Sequence, residues 1–359
     1  MTTLKVGSIE HPDDSANPVT IGGTGGIILP SGTTNERPSN TNGLLRFNST
    51  ANQVEYYHPT AGWNNVFNDP ATYAAQILVI GGGGAGGYTT QGWAGGGGGS
   101  GGIAYHDSAS LTDGAEYTVT VGSGATGPTT SDEHGADNVA DNGGDSSVSG
   151  DNVSMTAYGG GGGAGYRNAY TNGADGGSGG GAEGNSTESA SVATQGTGGT
   201  THYGNAGSVG TQGSPYIAGG GGGAGAAGTV SGGGSGTSDF SAWGAATSTG
   251  HNVSGTYYFA GGGGGGAYSG TPGTGGNGGG GAGGNTSGSS GGDATDFTGS
   301  GGGGRGAYNN GSGRGGNGGD GIVIIRYADG GAQLGSGGTV TQSGGYYYHV
   351  FTASGTYTA

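Results

Sequence analysis

The chain contains no cysteine and only one lysine among its 359 residues. Without cysteine, no disulfide framework can support a thin core, so stability must come from backbone hydrogen bonds or from association. Lysine and arginine together number seven against 23 acidic residues, which gives a net charge of −16. Such a chain repels phosphate backbones, so we predict no nucleic-acid partner.

Apolar and charged side chains are also scarce. Hydrophobic residues make up 29% and charged residues 8% of the chain, whereas ordinary globular domains have roughly 45–50% and 25%. This composition excludes a conventional layered enzyme core, and we predict no catalytic activity and no cofactor. No stretch approaches about 18 consecutive apolar residues, so we predict no membrane insertion.

Glycine takes the place of these side chains, with 104 residues. It occurs in contiguous blocks rather than at every third position, which excludes a collagen triple helix. Each glycine inside an α-helix costs about 1 kcal/mol relative to alanine, so helix is disfavoured and we predict an all-β chain with essentially no α-helix. The blocks lie at residues 81–87, 95–99, 159–165, 219–225, 261–266 and 300–304.

The composition of the glycine blocks allows two interpretations. Glycine-rich segments normally behave as flexible linkers. Polyglycine can instead form extended threefold helices of the polyproline II type, which pack side by side when each amide bonds to a neighbour's carbonyl. β-like runs bracket the blocks, at Ile77–Ile80, Tyr117–Val121, Val153–Tyr158 and Ile322–Ile325. Because linkers have no reason to be bracketed by strands, we predict a β-framed bundle of polyglycine II helices.

Composition changes at about Ala75 and again at about Tyr327, and we predict four segments. These are an N-terminal segment over residues 1–30, a β-rich module over 31–75, the glycine-rich body over 76–327 and a returning β-strand over 328–359. The sequence of the module predicts short strands near residues 44–48, 53–57 and 62–66. A module of about 40 residues is too small to close a core alone, so we predict association through Leu44, Phe47, Val54, Tyr56 and Trp63.

Three stretches resemble phage proteins. The opening, Thr2–Ile9, resembles the N-termini of structural proteins of marine tailed bacteriophages. Residues 29–66, LPSGTTNERPSNTNGLLRFNSTANQVEYYHPTAGWNNV, are similar to a module of phage tail-fibre and tail-spike proteins. The passage from Ile77–Ile80 into GGGGAGG, together with GGNGGDGIVIIRY at the end of the body, resembles the glycine-rich adhesin domains of phage tail fibres.

This resemblance implies a trimeric β-rich shaft and host recognition without chemistry. The implied partners are two further copies of the chain, other virion tail or capsid proteins bound through a virion-attachment segment at residues 1–30, and a bacterial surface receptor, either carbohydrate or outer-membrane protein. The implied location is the virion. The alternative is a purely structural virion protein, such as a capsid decoration or filament subunit, and an ice-binding or surface-coating bundle is a third reading.

Loops between the glycine blocks carry tyrosine, tryptophan, histidine and asparagine. Rigid aromatic rings supply contact area and amides supply hydrogen bonds in adaptable binding loops. Such aromatic residues can also simply cover the base of a loop. We predict receptor contacts from Tyr166, Arg167, Tyr170, His202, Tyr203, Trp243, Tyr258 and Tyr308.

Metal binding is disfavoured. The seven histidines are scattered without the spacing of a zinc site. The stretch Asp132–Asp145 concentrates oxygen ligands but lacks the spacing of a calcium loop, so a solvated acidic loop is the favoured reading and calcium the alternative.

The end of the chain, residues 346–358, resembles a strand that precedes the equivalent of Ile77–Ile80 in related glycine-rich domains. Here it comes last. Because an unpaired sheet edge invites strand addition, we expect this strand to fold back beside Ile77–Ile80 within its own chain or trimer. Donation of the strand to another chain is the alternative.

Overall fold

The computed structural model divides the chain into two compact units, Met1–Asp69 and Pro70–Ala359. We call them the N-terminal and the C-terminal unit. The residues that the structure describes are 29–37, 44–58, 62–66, 71–89, 93–130, 139–165, 172–186, 190–230, 232–285, 288–307 and 313–359. The predicted attachment segment, residues 1–30, therefore lies almost entirely outside them. Both units are built from β-structure, as predicted.

The N-terminal unit contains a four-stranded sheet in the order β1-β2-β3-β4. Its elements are β1 (Ser31–Gly32), a 3-10 turn (Thr34–Glu36), β2 (Leu45–Asn48), β3 (Gln53–His58) and β4 (Gly62–Asn65). β2, β3 and β4 are antiparallel neighbours, and β1 pairs with β2 in parallel. The three strands that the sequence predicts in this unit are thus confirmed.

The C-terminal unit contains two larger antiparallel sheets and one hairpin. Its strands are β5 (Thr72–Ile80), β6 (Ile103–Thr112), β7 (Glu116–Thr120), β8 (Ser146–Gly150), β9 (Val153–Ala157), β10 (Gly196–Thr197), β11 (Thr201–Tyr203), β12 (His251–Val253), β13 (Thr256–Tyr258), β14 (Ile322–Ala328), β15 (Thr339–Ser343), β16 (Tyr346–Phe351) and β17 (Gly355–Thr358). The six-stranded sheet has the order β11-β6-β5-β14-β16-β15, and the five-stranded sheet has the order β10-β9-β8-β7-β17. β12 and β13 form the hairpin.

Both faces of the six-stranded sheet are covered. On one face Ile77 and Val79 of β5 belong to a core that includes Val119, Val148 and Met155 of the five-stranded sheet. This double burial explains the unbroken apolar runs of β5 and β14, because strands covered on both faces need no polar alternation.

The other face of the six-stranded sheet packs against the one α-helix of the described residues, α1 (Ser241–Thr247). Leu78 and Ile80 form a second core with Phe240, Trp243 and Phe259 on this side. The prediction of a loop around Trp243 is therefore wrong. The burial of Phe240 and Trp243 against the sheet supplies the stabilisation that a seven-residue helix lacks on its own.

The glycine blocks are ordered extended rods. Within residues 81–87, successive backbone N–H groups donate hydrogen bonds to three neighbouring segments in turn. Every third residue therefore bonds to the same segment. Gly81, Gly84 and Gly87 donate to the carbonyls of Gly102, Gly99 and Gly96; Gly82 and Ala85 donate to Gly144 and Asp141; Gly83 and Gly86 donate to Gly319 and Gly316. This period of three is that of a polyglycine II helix. The linker interpretation of this block is wrong, and the predicted bundle is confirmed.

The rod at residues 95–102 lies inside the bundle. It donates backbone hydrogen bonds to three rods and accepts them from three others. Its neighbours are residues 81–87, 158–164, 178–181, 219–222, 263–266 and 299–305. Pairing in all directions satisfies the buried amides without side chains. The approach is so close that a Cβ atom at Gly97 would overlap the carbonyl of Gly263.

The end of the chain closes both sheets of the C-terminal unit. β16 pairs with β14, which lies between it and β5, and β17 pairs with β7 of the other sheet. Closure within the chain is therefore confirmed. The expected place beside Ile77–Ile80 is wrong, because β14 pairs with that strand over Ile322–Arg326. The single predicted strand is also two strands, since the chain crosses between the sheets at Thr352–Ser354.

Candidate binding surface at the far end of the glycine bundle

The path of the chain gives the bundle two ends. β5 runs directly into the rod at 81–87, and the rod at 95–102 returns directly into β6. The turn between these rods therefore lies at the end remote from the sheets, which we call the far end. The hydrogen-bond registers place the outer ends of the other rods at the same end of the bundle. These rod ends include residues 128, 139, 165, 172, 182, 191, 210, 217, 267, 273, 284, 291, 307 and 313.

Three aromatic residues from different turns meet at the far end: Trp93, Tyr216 and Tyr268. The ring centroids of Trp93 and Tyr216 are 4.6 Å apart, and those of Tyr216 and Tyr268 are 5.8 Å apart. Both pairs are edge-to-face, the geometry that aromatic rings prefer. Tyr268 is 45% exposed and the other two rings are half-buried. We call these residues the far-end aromatic cluster.

The turn that carries Tyr216 is held by its own backbone. Thr211 and Ile217 are joined by a pair of hydrogen bonds, in which each backbone N–H donates to an oxygen of the other residue. Tyr216 itself has a φ of +50°, which a bulky side chain rarely adopts. Such strain costs on the order of 1 kcal/mol and persists only where the surroundings enforce it. The backbone conformation at Tyr216 is therefore enforced by its surroundings.

The turn that carries Trp93 is fixed by a buried cation. Arg305 is 1% exposed, its guanidinium lies 4.6 Å from the ring centre of Tyr88, and it donates to the carbonyl of Thr89. The Thr89 hydroxyl in turn donates to the carbonyl of Trp93. Burial lowers the pKa of Arg305, and the Tyr88 hydroxyl opposes this effect. The Arg305 side chain thus contacts the turn from its buried side and does not face solvent.

The predicted binding residues do not form one site in the described structure. Tyr166, Arg167, Tyr170 and Tyr308 lie outside the described residues. The remaining four residues belong to the opposite end, beside the sheets. They are His202 and Tyr203 in β11, Trp243 in α1 and Tyr258 in β13.

Two of these residues, Tyr203 and Trp243, meet through Phe240 in the core beside the six-stranded sheet. Trp243 is only 4% exposed, and the Arg326 guanidinium lies 4.2 Å from its ring centre. Burial, followed by a hydrogen bond with Asp239, raises the pKa of Tyr203 to about 12. These contacts are those of packed residues at the base of the bundle, the second possibility that the sequence allows.

The sequence contains a feature that identifies the far-end aromatic cluster. Each of its members lies next to a glycine block. It stands at the end of the block that is farther from the strands of the sheets. Trp93 precedes the block at 95–99, Tyr216 precedes that at 219–223, and Tyr268 follows that at 261–266. The composition of the loops alone does not separate the two ends, because both contain tyrosine, tryptophan and asparagine.

The N-terminal unit presents a second surface. Strand alternation and register place Leu45, Phe47, Val54 and Tyr56 on one face of its sheet. Leu45 and Tyr56 are 40% and 37% exposed, and Val66, which follows β4, is 41% exposed. An apolar face of this kind is unusual on a sheet that stays single in water.

The opposite face of that sheet buries polar side chains. The Glu55 carboxylate lies 2.8 Å from Arg37 and 3.6 Å from Arg46, and it accepts a hydrogen bond from Asn48. The bond from Arg37 is the main cause that lowers the pKa of Glu55, against the opposing effect of burial. Trp63 lies over Arg46 on this face. The predicted association set is therefore split, since Trp63 lies opposite Phe47, Val54 and Tyr56, and Leu44 precedes β2.

Within the described ranges, no three histidine, cysteine, aspartate or glutamate residues lie close enough together to hold a metal ion. Residues 131–138 of the acidic stretch lie outside those ranges, while Asp145 accepts a hydrogen bond from the backbone of Gly159. In the same part of the chain, no helix is long and apolar enough to cross a membrane.

Comparison with protein families identifies the family to which the chain belongs. A family described as a glycine-rich domain matches residues 59–328, and the chain belongs to this family. The match spans the glycine bundle and the two central strands of the six-stranded sheet. No curated protein matches the chain. The family description states composition and names no ligand, so function must be argued from the geometry.

Proposed function

We propose that the chain is a phage tail-fibre or fibre-tip adhesin and that its far end contacts a bacterial surface receptor. The observation that carries this proposal is the far-end aromatic cluster. Three partly exposed rings from three different turns converge on a scaffold whose backbone amides are paired. Recognition residues commonly lie on loops that a rigid framework positions.

The chemistry of the cluster suits carbohydrate or protein loops. Partly exposed aromatic faces stack on sugar rings and also bury apolar side chains. A bundle held by backbone pairing tolerates changes in its turns, because the turn residues contribute little to the rods. This arrangement favours binding over catalysis. The rival proposal is a structural virion protein without a receptor.

We further propose that three copies of the chain associate through the apolar face of the N-terminal sheet. Leu45, Phe47, Val54 and Tyr56 are partly exposed there, and association would remove them from water. The attachment of the fibre to other virion proteins is assigned to the residues before this sheet.

Binding of the purified, fluorescently labelled protein to a panel of marine bacterial strains tests the receptor proposal. Tyr268→Ala should weaken adsorption by about tenfold or more, because truncation of an anchoring aromatic residue costs about 1–2 kcal/mol. Tyr258→Ala, a half-buried tyrosine at the sheet end, is the matched control and should adsorb as wild type. A folded protein that adsorbs to no strain would favour the structural alternative, whereas equal adsorption of all three proteins would exclude Tyr268 from the receptor contact.

A further inference from the structure

Glu183 is a buried acid without a partner. Its side chain is 0% exposed, and neither carboxylate oxygen has a hydrogen-bond partner in the described part of the chain. Burial raises its pKa to about 7, and the nearby backbone N–H of Asn185, which does not meet the geometry of a hydrogen bond to the carboxylate, opposes this only in part. A buried carboxyl group of this kind is tolerated as the neutral acid, whereas its anion has lost its hydration without compensation.

The backbone around Glu183 joins two turns of the far-end aromatic cluster. Gly184 donates to the carbonyl of Ala94 at 3.0 Å, next to Trp93. The side-chain oxygen of Asn185 accepts a hydrogen bond from the backbone of Gly213 at 3.3 Å, in the turn that carries Tyr216. We call residues 183–185 the linking segment. The linking segment is therefore hydrogen-bonded to the chain beside Trp93 and to the turn that carries Tyr216.

Among the residues that the structure describes, no counter-charge lies beside an ionised Glu183. The segments hydrogen-bonded to residues 182–185 are 93–95 and 208–219, and Tyr216 is the one titratable side chain in them. Arg305 lies one rod further away, with its guanidinium at Tyr88 and Thr89. The carboxylate of Asp175, on the rod beside residues 178–181, accepts a hydrogen bond from the backbone of Val192. No charged side chain contributes to the shifted titration of Glu183.

We propose that ionisation of Glu183 displaces the linking segment and separates Trp93 from Tyr216. The anion recovers its hydration only by moving to water, and the linking segment moves with it. The far-end aromatic cluster is then closed when Glu183 is protonated and open when it is ionised. The consequence for receptor binding rests on the proposed function, whereas the movement itself does not.

Fluorine NMR of protein labelled with 5-fluorotryptophan tests the movement without any receptor. The chain has three tryptophans, Trp63, Trp93 and Trp243, and a Trp93→Phe sample assigns the resonance of interest. We expect that resonance alone to shift between about pH 5.5 and about pH 8.5, with a midpoint near 7. Glu183→Gln should hold it at its low-pH position. Glu116→Gln removes an exposed carboxylate and should titrate as wild type.

A Trp93 resonance that is independent of pH in wild type, or that titrates equally in Glu183→Gln, would overturn the proposal. If Glu183→Gln fails to fold, carbon-13 NMR of the glutamate carboxyl groups in wild type gives the titration directly, and a set of glutamates that all titrate below about pH 5 would also overturn it. Adsorption to cells at both pH values is the receptor arm, with a change of about tenfold expected in wild type only. If Trp93 titrates but no strain is bound, the receptor function fails and the switch stands.

Discussion

Interior glycines of the bundle leave no room for a side chain. A Cβ atom at Gly263 would overlap the backbone carbonyl of Gly302, whereas one at Gly330 would meet nothing within 4 Å. Neither residue has a left-handed φ, so the two positions differ only in the space that is available for a side chain. Glycine in the rods is thus required by the distance between backbones and not by the conformation of each residue.

We therefore expect Gly263→Ala to lower the free energy of unfolding by about 3 kcal/mol or more, because the rods must move apart to admit one methyl group. Gly330→Ala should change it by less than about 0.5 kcal/mol. Chemical denaturation followed by circular dichroism measures both. Equal tolerance of the two substitutions would mean that the rods are not packed as described.

Asparagine and aspartate replace backbone carbonyls at the margin of the bundle. Asn142 and Asp145, three residues apart, accept hydrogen bonds from Gly162 and Gly159 of the next rod. Asn317 and Asp320 do the same for Gly127 and Gly124. The spacing of three matches the period of the rod, so these side chains continue its hydrogen-bond pattern where a neighbouring backbone lies too far away.

Removal of such a side chain should leave a rod amide without a partner. We expect Asn142→Leu to destabilise the protein by about 1–3 kcal/mol, the cost of an unsatisfied buried donor. Asn142→Asp keeps the accepting oxygen and should cost clearly less. Thermal melting of the two variants measures the difference, and a leucine variant as stable as the aspartate variant would contradict this role.

His349 makes the stability of the C-terminal unit sensitive to acid. It is fully buried, its Nδ1 lies 2.8 Å from the carbonyl of Gly337, and its Nε2 lies 3.0 Å from the hydroxyl of Tyr327. A carbonyl can only accept, so we assign the proton to Nδ1 and let Nε2 accept from Tyr327. Burial lowers the pKa of His349, and the hydrogen bond to Gly337 opposes this in part.

A folded-state pKa below the unfolded value favours the neutral imidazole. The contribution to stability is therefore complete above about pH 6.5 and is lost as the pH falls from there towards the folded-state pKa. His349→Gln can still donate to Gly337 but cannot ionise, so between pH 6.5 and the folded-state pKa it should lose less stability than wild type. Urea denaturation at several pH values gives both curves, and parallel curves would exclude His349 as the cause.

The limits of prediction from the sequence are clearest at the aromatic residues. Trp243 and Trp93 each border small residues and glycine, yet one is buried in a core and the other lies at the far end. What separates them is the partner that covers each ring, which depends on contacts between residues more than a hundred positions apart. Glu183 was missed for the same reason, since the burial of a lone glutamate leaves no pattern in the sequence.

The sequence predicts the positions of the strands better than it predicts which strands pair with each other. The apolar runs at β5 and β14 are bounded by glycine and have no helical period, so their structure follows from local composition. That β16 pairs with β14 and not with β5 is a matter of long-range register. The seven residues of α1 depend on tertiary packing and could not be predicted from propensity.

The N-terminal sheet should fail to associate when its apolar face is charged. We expect Tyr56→Lys to convert the proposed trimer into a folded monomer, because three lysines would be brought together in the interface and desolvated there. Tyr56 is 37% exposed within one chain, so the monomer should tolerate the change. Ser110→Lys, on exposed β6 surface, is the control. Analytical ultracentrifugation distinguishes the species, and a wild type that is already monomeric would refute the trimer.

The C-terminal unit depends on the last strands of the chain, whereas residues 1–69 form a separate unit. The C-terminal unit is compact without residues 1–69, and its two cores are completed by the last strands of the chain. Tyr348 and Val350 of β16 belong to the core on the α1 side, while Phe351 and Tyr357 belong to the core between the two sheets. One short segment therefore closes both sides of the six-stranded sheet.

Deletion of residues 340–359 should abolish folding of the C-terminal unit. Loss of each large core side chain costs about 2–5 kcal/mol, so the loss of four costs about 8–20 kcal/mol, which is as large as the total stability of about 5–15 kcal/mol that most domains have. The deletion also exposes the long apolar edge of β14, which invites aggregation. Deletion of residues 1–69 is the matched control and should leave a soluble unit with an unchanged melting temperature. Size-exclusion chromatography and thermal melting compare the two proteins. A chain without residues 340–359 that stayed soluble and equally heat-stable would show that the last strands are dispensable and that the glycine bundle holds the sheets together by itself.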